Sequence, residues 1–182
     1  MLIKAVLNQL ENFKGFVFGK VRLRKRWFEK PTLVVDILPR KGSRPGCPVC
    51  GRKRSVYDTS RSAREAEYLP LWSYRVVFRF FPRRVNCPWD GIQVEWVPWV
   101  NGKEQMTHSY KIFLARWARR LSWNEVAAVF ETSWGCVFRA IKMVVRRENA
   151  ASTSGEIPGT RAVMGRSAYV FGSSEEFVGR KL

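Results

Sequence analysis

"CPVCG" (47–51) and "CPWDG" (87–91) share a five-residue frame and differ at one functional position. Structural zinc takes four ligands at tetrahedral corners, commonly from two short turns that each give two. The first turn offers Cys47 and Cys50. The second offers Cys87 and, where a thiol is expected, Asp90. A glycine follows each pair. Carboxylate is a competent, less common ligand at such sites. Cys47, Cys50, Cys87 and Asp90 are therefore predicted to hold one structural zinc ion. Two alternatives stay open: a knuckle held by packing alone, and a three-thiol site completed by water. A redox CxxC is disfavoured, because no βαβ pattern surrounds it. The fourth cysteine, Cys136, reads as a small core or surface residue. The single histidine, His108, reads as exposed at a helix start.

Working outward from the knuckles, residues 1–104 read as mostly β. "GFVFGKVRL" and "PTLVVDIL" are rich in β-branched and aromatic residues. In "YRVVFRFFPRRVNC", Val76, Phe78 and Phe80 share one face and Arg75 and Arg79 the other; Pro82 predicts an edge strand or a bulge. "GIQVEWVPW" is a shorter strand. Before them, "IKAVLNQLENF" predicts a short helix with Ile3, Val6, Leu7 and Leu10 on one face.

After "NGKEQ" the period changes. Tyr110, Phe113, Leu114, Trp117 and Leu121 trace an amphipathic helix capped by Thr107. Ser122 and Glu125 form a capping box, followed by an apolar stripe of Val126 and Val129. "SWGCVFRAIKMVVRR" predicts a third helix, capped by Thr132 or Ser133. There Phe138, Ile141 and Val145 are expected to face the other helices, leaving Arg139, Lys142 and Arg146 on a separate face. Three helices with short turns over 105–147 form a helix-turn-helix unit. Such units set the N-terminal end of the last helix in the major groove. The candidate DNA contacts are Ser133, Trp134, Gly135, Arg139, Lys142 and Arg146. Residues 148–182 hold five Gly and five Ser without a period and read as an irregular tail.

The expected fold class is α+β: a β-rich zinc-knuckle module (1–104), a trihelical helix-turn-helix domain (105–147) and an irregular tail (148–182). Charge points to the partner. Lys+Arg number 33 against 15 acids, a net of +18. Such an excess fits a polyanion, most often nucleic acid. It divides as 21 basic and 9 acidic groups in 1–104, 8 and 2 in 105–147, and 4 and 4 in the tail. The arginines of "VRLRKRW", "RKRS" and "RFFPRR" are expected to hold phosphates rather than read bases. No apolar run approaches the ~20 residues that span a bilayer. No signal peptide is read at the N-terminus, and the cysteine usage fits a reduced cytoplasm.

"CPVCG", "YD", "RRVNCP", "VEWVPW" and "FLARWARRLSWNEVAAVFETSW", in that order over roughly residues 20–145, resemble the N-terminal part of bacterial insertion-sequence transposases of the ISL (L-three) family. The resemblance implies a zinc finger and a helix-turn-helix that together recognise terminal inverted repeats of double-stranded DNA. It carries the zinc positions over to Cys47, Cys50 and Cys87; the family usually has cysteine at the position of Asp90. Family members continue into a ribonuclease-H-like domain with a DDE triad. Here the three aspartates are Asp36, Asp58 and Asp90, and no triad maps. The expectation is a truncated transposase that binds element ends without cutting. It would be associated with the bacterial nucleoid, with a second copy or an intact transposase as a further partner. The alternatives are a zinc-ribbon RNA- or ribosome-associated protein, and a protein–protein module whose charge is incidental.

Overall fold

The structure, a computed structural model, describes residues 2–25, 27, 30–72 and 74–153. Helix α1 (Leu2–Leu10) is followed by seven strands: β1 (Phe16–Arg24), β2 (Thr32–Pro39), β3 (Ser55–Thr59), β4 (Arg64–Leu71), β5 (Tyr74–Phe80), β6 (Arg83–Cys87) and β7 (Gly91–Val94). Helices α2 (His108–Trp117), α3 (Trp123–Val129) and α4 (Trp134–Thr153) complete the described chain. The expected tail from 154 onward lies outside the described residues. Its first six residues, 148–153, continue α4.

The strands form two sheets. The larger has the order β1-β2-β5-β4, with β2 and β5 parallel and the outer pairs antiparallel. The smaller is antiparallel, in the order β3-β6-β7. Alternation drives the packing of the first. Val76, Phe78 and Phe80 are buried on the predicted face, against Phe18, Val35, Ile37, Tyr68 and Trp99. Tyr68 stacks on Phe78 at 4.3 Å, and Phe16, Phe80 and Phe13 surround Trp99. From α1, Leu7 is buried and Ile3 packs on this core, while Val6 and Leu10, expected on the same face, are exposed.

Pro82 does something other than the expected edge or bulge. It stands where the chain leaves β5, an interior strand of one sheet, and enters β6, the middle strand of the other. A residue without an N–H cannot extend a ladder, so the single long strand is divided there. Just beyond it, Arg83 is not a phosphate contact. Its guanidinium and Glu95 are nearly inaccessible (8% and 2% side-chain exposure) and bonded at 2.7 Å, and Nη1 donates to the Ser43 carbonyl at 3.1 Å. A fully bonded buried pair of this type fixes geometry more than it adds stability, because desolvation offsets its Coulomb energy.

The helices pack on a second core of Met106, Tyr110, Leu114, Val126, Val137 and Ala140. Thr107 caps α2 and Ser122 with Glu125 forms the capping box on α3, both as predicted. Glu131 (φ +50°) closes α3: its N–H bonds to Ala128, and that of Thr132 bonds to Ala127. That pair of bonds is a Schellman stop, which turns the chain sharply into α4. Two apolar assignments are corrected. Val129 is 59% exposed, leaving Val126 alone buried on α3. On α4 the fully buried positions are Val137 and Ala140; of the expected inward residues Phe138 and Val145 are exposed, while Ile141 is half-buried and packs on this core as expected.

The β module and the helices are joined by backbone. The Glu67 N–H bonds to Gln105, the Thr107 N–H to Glu67, and the His108 N–H to Trp99. Glu11 accepts from Tyr68 and Ser109, and burial raises its carboxyl above the ordinary value despite these bonds. His108 is half-buried rather than exposed, with Nδ1 enclosed and unpartnered among the described residues. Burial first, then the charges of Arg147 and Lys111, lowers its pKa from 6.5 to about 4, against a small opposing effect of Glu104. The unfolded chain therefore binds this proton more readily than the folded one. The neutral imidazole contributes stability above pH 6.5, which is lost as pH falls toward 4. The thermal midpoint is expected to drop between roughly pH 7 and 5, and His108→Gln to flatten that interval; scanning calorimetry across the range checks this.

Candidate metal centre and nucleic-acid interface

Both knuckles are built the same way. Cys47 and Cys50 lie in a tight loop closed by pairing of Gly46 with Lys53, by the Cys47 N–H on Arg52 O (2.9 Å) and by the Gly51 N–H on Cys47 O (3.0 Å). Cys87 ends β6 and pairs with Gly91, which opens β7, so Asp90 sits at the tip of that hairpin. Gly51 and Gly91 have the same backbone angle, φ +69°, and a Cβ on either would meet no atom within 4 Å. Glycine is needed there for the left-handed turn and not for space.

The two turns converge. Cys47 Sγ and Cys87 Sγ lie 3.3 Å and 3.1 Å from Asp90 Oδ2, and Cys50 Sγ lies 3.7 Å from Cys87 Sγ. Zinc–sulfur bonds of ~2.3 Å put tetrahedral sulfurs about 3.8 Å apart, so the spacing suits one ion. All four ligand atoms fall within 4.8 Å of one another. Cys47 and Cys87 are buried with Val85 in a small core of their own. Burial raises the Cys47 thiol, whereas the Arg52 backbone N–H, helped by Arg54, lowers that of Cys50. Bonds from the Cys87 and Cys47 thiols hold the Asp90 carboxyl below its usual range. These four residues are close enough to bind a metal, with an Asp90 carboxylate oxygen among the three thiols.

On α4, Ser133 caps the first turn, its Oγ accepting from the Cys136 N–H at 3.3 Å. Trp134 is exposed and stacks on Phe138 (5.5 Å, 5° between planes), with Trp123 of α3 at 5.6 Å. A Cβ on Gly135 would meet only side-chain atoms at 3.8 Å or more, so the chain itself does not demand glycine here. Arg139, Lys142 and Arg146 are all exposed. Arg139 donates to Cys136 Sγ (3.1 Å), and Lys142 Nζ lies 5.9 Å from the Phe138 ring. Cys136 is half-buried; burial opposes ionisation of its thiol, yet bonds from Ser133, Thr132 and Arg139 lower it. The aromatic group of Trp123, Trp134 and Phe138 was not legible as a unit, because Phe138 carried the helical spacing of a core residue.

Five arginines of the β module are held by carboxylates of the same chain. Arg22, Arg24, Arg75 and Arg84 pair with Asp36, Glu65, Glu67 and Asp58, and Arg83 is internal. For Arg22, Arg24, Arg83 and Arg84 the expected phosphate role is corrected: their first partners are carboxylates of the same chain. The four tryptophans near the knuckles divide: Trp99 is buried, while Trp72, Trp89 and Trp96 are exposed.

Comparison with known proteins gives one consistent signal. The transposases for insertion sequence element IS1557 from two strains of Mycobacterium tuberculosis, CDC 1551 / Oshkosh and ATCC 25618 / H37Rv, are each 27% identical over 113 residues, covering 56% of this chain. The chain is similar to insertion-sequence transposases. It spans about a quarter (26%) of the length of these relatives. No protein-family model matches it, and no solved structure does.

The metal centre makes a direct prediction. Protein purified without chelator is expected to carry about one metal ion per chain, in line with a single closed four-ligand site. Asp90→Cys keeps the ion, and Asp90→Ala releases it at a chelator concentration at least about tenfold lower, because one ligand is missing. Elemental analysis after graded chelator dialysis reads both.

Proposed function

We propose that these residues bind the terminal inverted repeats of an insertion element as duplex DNA, with α4 as the helix that enters the major groove. The observation that carries this reading is the exposed row Arg139, Lys142 and Arg146 on α4, opposite the buried Val137 and Ala140. The helix is held by its apolar face and presents cations on the other, as groove-entering helices do. Its tip, Ser133 to Gly135, combines a capped N-terminus with an exposed indole. The similarity to transposases supports DNA as the polyanion.

In this reading the ion is zinc, and its role is structural. Three thiolates and one carboxylate make a closed, tetrahedral donor set with no position left for a substrate. The ion would fix the two knuckle turns against each other through Cys47, Cys50, Cys87 and Asp90. Strand cutting is not assigned to these residues. Two-metal phosphoryl chemistry needs carboxylates converging on one place. Asp36 and Asp58 are bonded to Arg22 and Arg84 on separate sheets, and Asp90 lies among thiols.

The test is binding at matched salt to three probes: a duplex with the terminal repeats of the encoding element, a scrambled duplex and a structured RNA. The repeat duplex is expected to bind tightest. Arg139→Gln or Lys142→Gln lowers the preference for repeat over scrambled DNA by about tenfold, as loss of one base contact does. Equal affinity for all three probes would contradict the reading.

A further inference from the structure

We propose a second contact on the same duplex, resting on the reading above: Arg52 and Arg54, held by Trp89 beside the metal ligands, dock a phosphodiester of the DNA backbone irrespective of sequence. Five arginines of the β module, Arg22, Arg24, Arg75, Arg83 and Arg84, are engaged by acids of the same chain. Arg52 and Arg54 form no ion pair with a carboxylate among the described residues. Their guanidinium carbons instead lie 5.1 Å and 4.6 Å from the centre of the Trp89 ring.

Trp89 is 67% exposed, so its own burial does not account for its place. An indole face attracts guanidinium, and stacking leaves the edge N–H groups of that fork free to bond elsewhere. The ring therefore positions two cations without consuming their hydrogen-bonding capacity. Arg54 Nη2 also lies 3.6 Å from Cys50 Sγ, which ties it to the ligand cluster. Its Nε is buried and unpartnered. The Arg52 backbone is fixed too, since its carbonyl accepts from the Cys47 N–H at 2.9 Å. Arg52 is exposed at the side chain and anchored at the backbone, the arrangement of a positioned phosphate contact. In these terms Arg52 touches the phosphate, Arg54 adds field beside the thiolates, and Trp89 is a positioning residue.

The experiment uses the full chain with its metal, on repeat and scrambled duplexes over a range of salt. Arg52→Gln is expected to weaken both duplexes by the same factor, about threefold to tenfold, and to reduce the salt slope of log K by about 0.9. Trp89→Ala reproduces the loss and Trp89→Phe restores it, with metal content unchanged in all three variants. Wild-type affinity and slope for Arg52→Gln on both duplexes would overturn the proposal while leaving the α4 reading in place. A loss confined to the repeat duplex would overturn it as well, since that is base reading. If the unaltered chain binds neither duplex, the α4 reading itself fails.

Discussion

Fifteen carboxylates serve thirty-three cations in this chain, and that scarcity governs how the surface is organised. Asp36, Asp58, Glu65, Glu67, Glu95 and Glu104 each bind a named Lys or Arg. Most of these pairs lie on exposed sheet faces, where one pair adds roughly 0–1 kcal/mol. Their larger effect is on where positive potential remains. Cations bonded to a carboxylate are screened locally, and those without one define the field seen by a polyanion. Among the described residues without an ion-pair partner are the α4 row and the Arg52–Arg54 pair, together with Arg40, Arg44, Arg61 and Arg79 of the β module.

The apolar framework places both sets. In the β module, Val76, Phe78 and Phe80 pack inward so that Arg75 and Arg79 point away, and the buried Arg83–Glu95 pair fixes the passage from one sheet to the other. In the helices, Val137 and Ala140 pin α4 and turn Arg139, Lys142 and Arg146 outward. The strand-like contact of residues 105–107 with β4 and the bond from His108 to Trp99 join the two cores. Under the proposed zinc reading, the Cys47, Cys50, Cys87 and Asp90 cluster would act in the same way at smaller scale: the small core around it holds little beyond Val85, and an ion would supply the crosslinks that a hydrophobic core of that size cannot.

The knuckle frame was legible because ligand spacing is local: two tight turns with a glycine after each determine their own geometry, and Gly51 and Gly91 share one φ. The caps on α2 and α3 were legible for the same reason. The face of α4 was not. "VF" and "AI" each offer neighbouring apolar positions, so spacing alone could not separate Val137 and Ala140 from Phe138 and Ile141; contact with α2 and α3 decides it. Strands β3 and β4 gave weak signals, since "SVYDT" is exposed along most of its length and "REAEYLPL" carries Glu, Ala and Pro. The fate of Arg83 depended on Glu95, twelve positions away on the other side of a hairpin. Burial of the His108 ring comes from tertiary contact, which its place at a helix start does not reveal.

The most direct measurement compares two triple variants by the salt dependence of duplex binding. One removes the unpaired row, Arg139, Lys142 and Arg146, each to Gln; the other removes the paired set, Arg22, Arg24 and Arg84, each to Gln. The account predicts that the first lowers the slope of log K against log salt by about two to three, as loss of that many phosphate-neutralising cations would. The second is predicted to leave the slope close to that of the unaltered chain. A larger fall in the second variant, or equal falls in both, would contradict it.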